Sequence, residues 1–404
     1  MDLNPTVIAI PLYFLLMGIE LLINKIQHTR LYRLNDAITN INIGATQQVI
    51  GVLLKLIPIA IYEIVYHNFS FQWIDNSQFN WWVFWAAFIG WDFCYYWAHR
   101  MSHEINLLWS GHVVHHQSEE YNLSVALRQS WFQGIWTAPF YLPLALIGFD
   151  TTTIILVSGL NLIYQYWIHT EMIQKMGILE WVMNTPSHHR VHHGRNPEYI
   201  DKNHAGVFII WDRMFGTFQP EVAKPVYGIT TPVASWNPVW ANFAHFETIY
   251  GQLKEARSFT DYFKILFYKP GWSAKMAGYV PIPEVQRDKT PKYDTYSPTT
   301  VNYYVLFQYL ITTVYIATYL FSQNEMAMTP KIVGAALIVI ACLNMGGLFE
   351  KKKWSYWIEW LRFPMSIALL VVVFTIPMYV LWLNIGAMLI SWAWLFSFRG
   401  YLQK

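Results

Sequence analysis

Apolar runs of about 20 residues, the length that crosses a hydrocarbon core, recur along this chain. They fall at 7–24, 48–66, 80–98, 131–149, 152–169, 301–321, 331–349 and 363–383, with a further candidate at 386–398. The pattern predicts an all-α fold, a polytopic transmembrane bundle of eight or nine spans. Pro58 and Pro143 sit inside two runs, which membrane helices tolerate when neighbours satisfy the freed carbonyls. No small-residue cleavage site follows residues 7–23, so that segment is expected to remain as an anchor. The long polar stretch from His169 to about Tyr296 is dense in Pro and Gly, as in Lys269-Pro270-Gly271-Trp272 and Pro281-Ile282-Pro283. It predicts a cap of loops and short helices. Two regions result: 1–300, with five spans plus the cap at 170–300, and 301–404, the C-terminal transmembrane helices.

Basic residues set the expected orientation. Lys25, Arg30 and Arg33 follow the first span, Arg100 and Arg128 flank the third and fourth, and Lys351 to Lys353 with Arg362 separate the seventh and eighth. Alternation puts all of them on one side, expected to be cytosolic, together with His99 to His116 and the cap. The loops at 67–79 and 322–330 fall opposite and contain no Lys or Arg. The sequon Asn68-Phe69-Ser70 is then lumenal and open to glycosylation.

Composition agrees. Charged residues make up 13% of the chain and hydrophobic ones 54%, where soluble domains carry about 25% charge. A net charge of +2 without a basic block argues against nucleic-acid binding. Cys94 and Cys342 lie far apart in apolar stretches and read as buried thiols rather than a disulfide.

The chemistry lies in the histidines. His99-Arg-Met-Ser-His103, His112-Val-Val-His115-His116 and His189-Arg-Val-His192-His193 place eight imidazoles in three clusters on one expected side. The i, i+4 spacing of the first puts both rings on one helix face. In each H-x-x-H-H cluster the i and i+3 rings are expected to share a face, with the last turned by about 100°, so one helix can serve two metals. A lone histidine at a membrane-helix end is ordinarily an interfacial residue. Eight packed together without a metal would bury many unsatisfied nitrogens, and eight neutral donors exceed what one ion binds. Imidazole suits iron, copper and zinc alike, so spacing leaves the metal open. His103-Glu104-Ile105-Asn106 lacks the second His of the zinc-protease motif.

His169, ending the fifth span, is a candidate ninth ligand, and His188 a candidate for hydrogen bonding to the ligands. Asp92, Glu104 and Glu171 are candidates to orient metal-bound rings, against the plainer reading of interfacial charges. His28, His67 and His245 stand alone and receive no metal role. Trp91, Trp97, Trp109, Trp131, Trp136 and Trp167 read first as interfacial belt and packing residues, and second as lining for a lipid channel.

With these motifs in view, the sequence resembles the fatty acid hydroxylase superfamily of membrane di-iron oxygenases, whose three histidine boxes have this order and spacing. Flanking segments narrow the resemblance to the alkylglycerol (glyceryl-ether) monooxygenase family. They are Asp92-Phe-Cys-Tyr-Tyr-Trp-Ala-His99-Arg-Met-Ser-His103-Glu104, Tyr121-Asn-Leu-Ser-Val-Ala-Leu-Arg128-Gln-Ser, Asn184-Thr-Pro-Ser-His-His-Arg-Val-His-His-Gly-Arg-Asn196 and Asp201-Lys-Asn-His-Ala-Gly-Val-Phe-Ile-Ile-Trp-Asp-Arg-Met-Phe-Gly-Thr-Phe218. The similarity is strong over 80–230 and weak in the last hundred residues. His204 departs from it, standing where Tyr is expected. The resemblance implies an endoplasmic reticulum enzyme that holds two irons with the eight box histidines. It would take electrons from tetrahydrobiopterin and use O2 to hydroxylate the ether-bearing carbon of an alkylglycerol. The hemiacetal so formed breaks down to a fatty aldehyde and a glycerol derivative. Glu104 is then the best carboxylate behind the ligands, with Asp92 beside it, and the cap the natural place for the pterin to dock.

The nearest alternative is a sterol or sphingolipid hydroxylase fed by cytochrome b5, which the box spacing allows. A metal-ion transporter is remoter, because transport sites lie near the bilayer midplane and these clusters lie outside the spans. A histidine-rich scaffold would need no such ordered spacing.

Overall fold

The computed structural model describes residues 5–374 and 376–403. The chain opens with α1 (Pro5–Ile26), then α2 (Leu34–Leu54) and α3 (Leu56–Phe69), which meet at a bend of 45°. Next come α4 (Trp81–Glu104) and α5 (Asn106–His116), short α6 (Gln133–Thr137) and α7 (Leu142–Ile147), and α8 (Thr151–Trp167). Shorter pieces follow: α9 (Pro186–His192), α10 (Ile210–Phe215), α11 (Pro238–Glu255) and α12 (Phe259–Phe267). A small hairpin pairs β1 (Trp272–Ser273) with β2 (Gly278–Tyr279), Trp272 opposite Tyr279. The long helices α13 (Thr299–Ser322), α14 (Met328–Phe349), α15 (Lys353–Val373) and α16 (Met378–Ser397) precede a terminal turn, α17 (Arg399–Gln403).

Among the described residues, five helices, α1 and α13 to α16, are long and apolar enough to cross a membrane, or six spans if α2 and α3 count as one. The protein is thus a multi-pass membrane protein with fewer such helices than the eight or nine expected. The expected span 131–149 is not one helix but α6, a 3-10 turn at Ala138–Tyr141 and α7. Pro139 and Pro143 each remove a backbone N–H and crowd the preceding turn, and Gly148 ends the run at φ 117. The run at 80–98 does form a helix, α4, but one carrying Asp92, His99, Arg100 and His103, and α8 has 17 residues. The expected 363–383 straddles the break between α15 and α16, where Pro377 disfavours helix in the residue before it; Thr375, within that expected span, lies outside the described residues. Helix α15 starts instead at Lys353, so Glu359 and Arg362 are helical and buried.

The chain divides into two compact units. The first comprises Met1–Arg33, Leu54–Pro232 and Asn242–Lys292. Its core packs Tyr62 of α3, Phe88 and Cys94 of α4, Leu144 of α7, and Ile154 and Val157 of α8. The second comprises Leu34–Leu53, Val233–Ala241 and Tyr293–Lys404, with a core that joins Ile38 and Val49 of α2 to Tyr304, Cys342, Met345 and Leu395. Both cysteines are buried and free. Helix α4 starts sharply because the Asn80 side chain accepts a hydrogen bond from Trp82 N at 2.8 Å, and Asp150 caps α8 through Thr153 N at 2.7 Å.

Candidate metal centre

Nine buried histidines of the first unit converge. His99 and His103 leave α4 one turn apart, and α5 presents His112 and His116 in the same relation. Helix α9 and its cap do likewise with His189 and His193. The rings fall into two sets: His99, His103, His112, His116 and His192 in one, and His115, His169, His189 and His193 in the other. Within each set, one ligand atom per ring lies within 4.8 Å of all the others. In both H-x-x-H-H clusters it is therefore the i and i+4 rings that share a set, while the i+3 ring crosses to the other. Helical geometry explains the difference from the expected i, i+3 pairing: at 100° per residue, i+4 is offset by about 40° and i+3 by about 60° the other way. Each helix still serves both sets.

Backbone carbonyls fix how the rings face. Nδ1 of His99 lies 2.7 Å from His204 O, that of His115 3.0 Å from Arg128 O, that of His169 2.8 Å from Gln165 O, and that of His192 3.0 Å from Lys202 O. A carbonyl only accepts, so each Nδ1 carries the proton and each Nε2 points inward as a lone pair. Burial keeps the rings neutral, lowering His115 to about 4 and the other eight well below their ordinary value, with neighbouring rings adding to the effect in most. Nε2 of His115 and Nε2 of His169 are then two lone-pair atoms 3.2 Å apart with no proton to share. A cation between them resolves the clash, since imidazole nitrogens bind a metal at about 2.0–2.1 Å. Nε2 of His103, His192 and His193 are buried without any hydrogen-bond partner, as ligand atoms would be. The residues fit metal, and fit one ion per set.

The segment 201–208 closes over α4 and supplies two of those carbonyls. Two buried carboxylates fasten it. Asp92 Oδ1 accepts from Val207 N at 2.8 Å and Asn161 Nδ2 at 2.7 Å, and Oδ2 from Phe208 N at 3.0 Å and Trp211 Nε1 at 2.9 Å. Asp212 accepts from His204 N and Ala205 N at 2.8 Å each and from Thr217 Oγ1 at 2.6 Å; burial pushes its carboxyl up to about 6. Asp201 and Asn203 both take φ 55, a left-handed conformation that Asp and Asn adopt more readily than most, and so turn Lys202 O toward His192. Asn203 ties the segment to α9 by donating to His188 O at 3.0 Å. Gly206 is required: a Cβ there would lie 2.7 Å from Asp92 Oδ1 and 2.9 Å from the Tyr95 ring.

The structure brings all eight box histidines together and adds His169. Glu104 instead pairs with Arg100 at 3.0 Å and approaches Lys269 at 3.8 Å, and the carboxylate near His103 is Asp201, 3.7 Å from Nδ1. Glu171 binds Arg287 at 2.6 Å. His188 lies outside both sets with its ring 5.4 Å from Phe218. Of the tryptophans, Trp109 touches the rings of His103 and His116, while Trp91 stacks on Tyr141 and Trp97 packs on Phe215. His204 sits 5.0 Å from the His103 ring, fully buried, with neither nitrogen partnered.

Arg128 and Arg190 were not legible as site residues. Arg128 caps the end of α5 through Val114 O at 2.6 Å while its own carbonyl holds His115. Arg190, between the clustered histidines of α9, donates to Glu221 at 2.7 Å and to Thr170 O and Ile173 O at 3.0 and 2.7 Å. The one sequence signal is that Arg190 sits between histidines of the third box; Arg128 lies twelve residues past His116.

The fatty acid hydroxylase family model matches residues 84–217, the span that contains all nine histidines. Alkylglycerol monooxygenases are similar over most of the chain. The Xenopus tropicalis protein is 35% identical, covering 87% of this chain and 78% of its own. The human protein is 36% identical over 89% and 81%, and that of Danio rerio 36% over 82% and 74%. No solved structure matches. Similarity of this extent, centred on two sets of inward-facing imidazoles, places the chain in the alkylglycerol monooxygenase family.

Proposed function

We propose that this protein is a tetrahydrobiopterin-dependent di-iron monooxygenase of the endoplasmic reticulum membrane, with its active site facing the cytosol. It hydroxylates the ether-bearing carbon of alkylglycerols. The observation that carries the reading is the division of nine buried imidazoles into five and four in a chain whose relatives are named alkylglycerol monooxygenases.

His99, His103, His112, His116 and His192 would hold one iron, and His115, His169, His189 and His193 the other. When bound, iron supplies the redox chemistry that activates O2 toward an unactivated C–H bond. The rest falls to the chain. Carbonyls of His204, Arg128, Gln165 and Lys202 hold the imidazoles in the tautomer that keeps Nε2 free. Asp92 and Asp212 keep the 201–208 segment closed over the site and water out. Arg190 and Arg128 lock α9 and α5, so the ligands need no reorganisation on binding metal. Hydroxylation at the ether carbon gives a hemiacetal, which separates into fatty aldehyde and a glycerol derivative without further help. The two electrons that balance reduction of the second oxygen atom to water would come from tetrahydrobiopterin, the external reductant.

The test uses membranes containing this protein, an alkylglycerol and O2, with aldehyde release followed in the presence of tetrahydrobiopterin or of NADH with cytochrome b5 and its reductase. Aldehyde that depends on the pterin is the expected result. Aldehyde with cytochrome b5 alone would overturn the electron donor. No aldehyde from protein holding two irons would overturn the substrate in favour of a sterol or sphingolipid.

A further inference from the structure

The second unit buries a charge pair deep in its membrane helices, where such groups are costly and mark function. Arg362 lies nine residues after Lys353 in α15, about 14 Å along the axis at about 1.5 Å per residue and so near the middle of a core about 30 Å thick. Its Nε donates to Glu359 Oε1 at 2.8 Å, and its second terminal nitrogen to Oε2 at 3.0 Å. Tyr304 and Asn344 each add a donor to Glu359 at 2.6 Å. Gln308 accepts from Arg362 and donates to Ser391 at 2.9 Å. The two charges cancel within a network that satisfies the carboxylate.

Beside this network, between α13, α14 and α15, lies an open cavity that runs from Arg362 to Met326 and Phe374. Leu337, Ile338 and Ala341 form an apolar wall, and half-exposed Leu369, Leu370 and Phe374 form the rim. Thr312 and Tyr319 also line it, one face of α13 two turns apart. They are 2% and 4% exposed, yet neither hydroxyl has a hydrogen-bond partner. Two orphaned hydroxyls in one hydrocarbon-embedded cavity are an exception to the rule that buried polar groups are paired.

We propose that this cavity binds a single-chain neutral amphiphile, a long alkyl chain with a hydroxyl or carbonyl head. The apolar wall takes the chain, and the hydroxyls of Thr312 and Tyr319 take the head. Because Glu359 already cancels Arg362, the floor offers no net positive charge to a carboxylate or phosphate. The rim of leucine and phenylalanine admits a ligand from the bilayer rather than from water. The site involves none of the histidines and does not depend on their reading.

The test reconstitutes the full chain in phosphatidylcholine nanodiscs with hexadecanol carrying a mid-chain diazirine, and maps photoadducts by mass spectrometry. Saturable adducts on segments 337–341 and 366–374 are expected, displaced by plain hexadecanol and not by hexadecanoate. Thr312→Val with Tyr319→Phe keeps the shape of the wall and should weaken labelling about tenfold, one net hydrogen bond each at about 0.5–1.5 kcal/mol with about 1.4 kcal/mol per decade. Labelling that does not saturate and ignores both substitutions would overturn the proposal. So would equal displacement by hexadecanoate. A double variant that melts higher than the parent with unchanged labelling would show two orphaned hydroxyls in an empty cavity, and would overturn it as well.

Discussion

Replacing Asp92 by Asn tests the claim that a carboxylate, rather than the ligands themselves, holds the site closed. Each oxygen of Asp92 accepts two hydrogen bonds, from Val207 N and Asn161 on one side and from Phe208 N and Trp211 on the other. Whichever way an amide turns, its NH2 faces two donors. Two buried N–H groups then lose their acceptor, each at about 1–3 kcal/mol, for a total of about 2–6 kcal/mol. Tyr95 and Asn161 crowd the site, so the side chain cannot swing to relieve it. The released segment is the one whose carbonyls orient His99 and His192, so iron affinity should fall together with stability. The assay is thermal unfolding of the full chain in nanodiscs beside its iron content. A fall of at least about 4 °C is expected at about 2–4 °C per kcal/mol, with less iron retained after dialysis against a chelator. Asp75→Asn is the control: that carboxylate is exposed and accepts from the Ser77 backbone N, at 2.9 Å, and from the Ser77 side chain. An Asp92→Asn protein with unchanged melting and iron would refute the clamp.

His192→Ala removes a ring of the five-membered set and, on the proposed ligand assignment, should abolish activity and lower iron while membrane extraction behaves as before; full activity would contradict that assignment. Gly206→Ala pushes a methyl to 2.7 Å from Asp92 and should cost about 1–3 kcal/mol, reproducing the iron loss of Asp92→Asn without touching a polar group. Arg190→Lys cannot keep both the paired contact with Glu221 and two carbonyls; iron retention should drop severalfold, read by metal analysis. His245→Ala breaks one contact with Asn106, 2.8 Å away at the start of α5; iron content should hold, with melting lowered by no more than the equivalent of about 1 kcal/mol.

Local spacing made the clustered histidines legible and left their supports hidden. His99 and His103, or His112 and His116, announce a shared face because i and i+4 meet on any helix. The allotment of His115 and His192 to opposite sets follows from i+4 lying about 40° and i+3 about 60° from i on opposite sides, a difference that the spacing of the letters does not display. Asp92 was singled out by its place on the α4 face, but its partners at 207, 208 and 211 lie more than a hundred residues away. Long-range pairing of that kind leaves no periodic trace. The same holds for α2, which packs its Ile38 and Val49 with the C-terminal helices. Hydropathy found apolar stretches but not their breaks: two prolines divide 131–149, and the buried Glu359–Arg362 pair disguised the first half of α15 as a loop. The neutral pair reads as polar residue by residue, although its charges cancel inside the bundle.

The most direct test of the two-metal account is the iron count per chain in purified protein, read beside 57Fe Mössbauer spectra. Two irons in nitrogen-rich environments are expected in the parent. His189→Ala, which strikes the four-membered set, should lose iron from one environment first. One iron per chain, or two that are indifferent to His189→Ala, would contradict the assignment of these nine histidines to two metal sites.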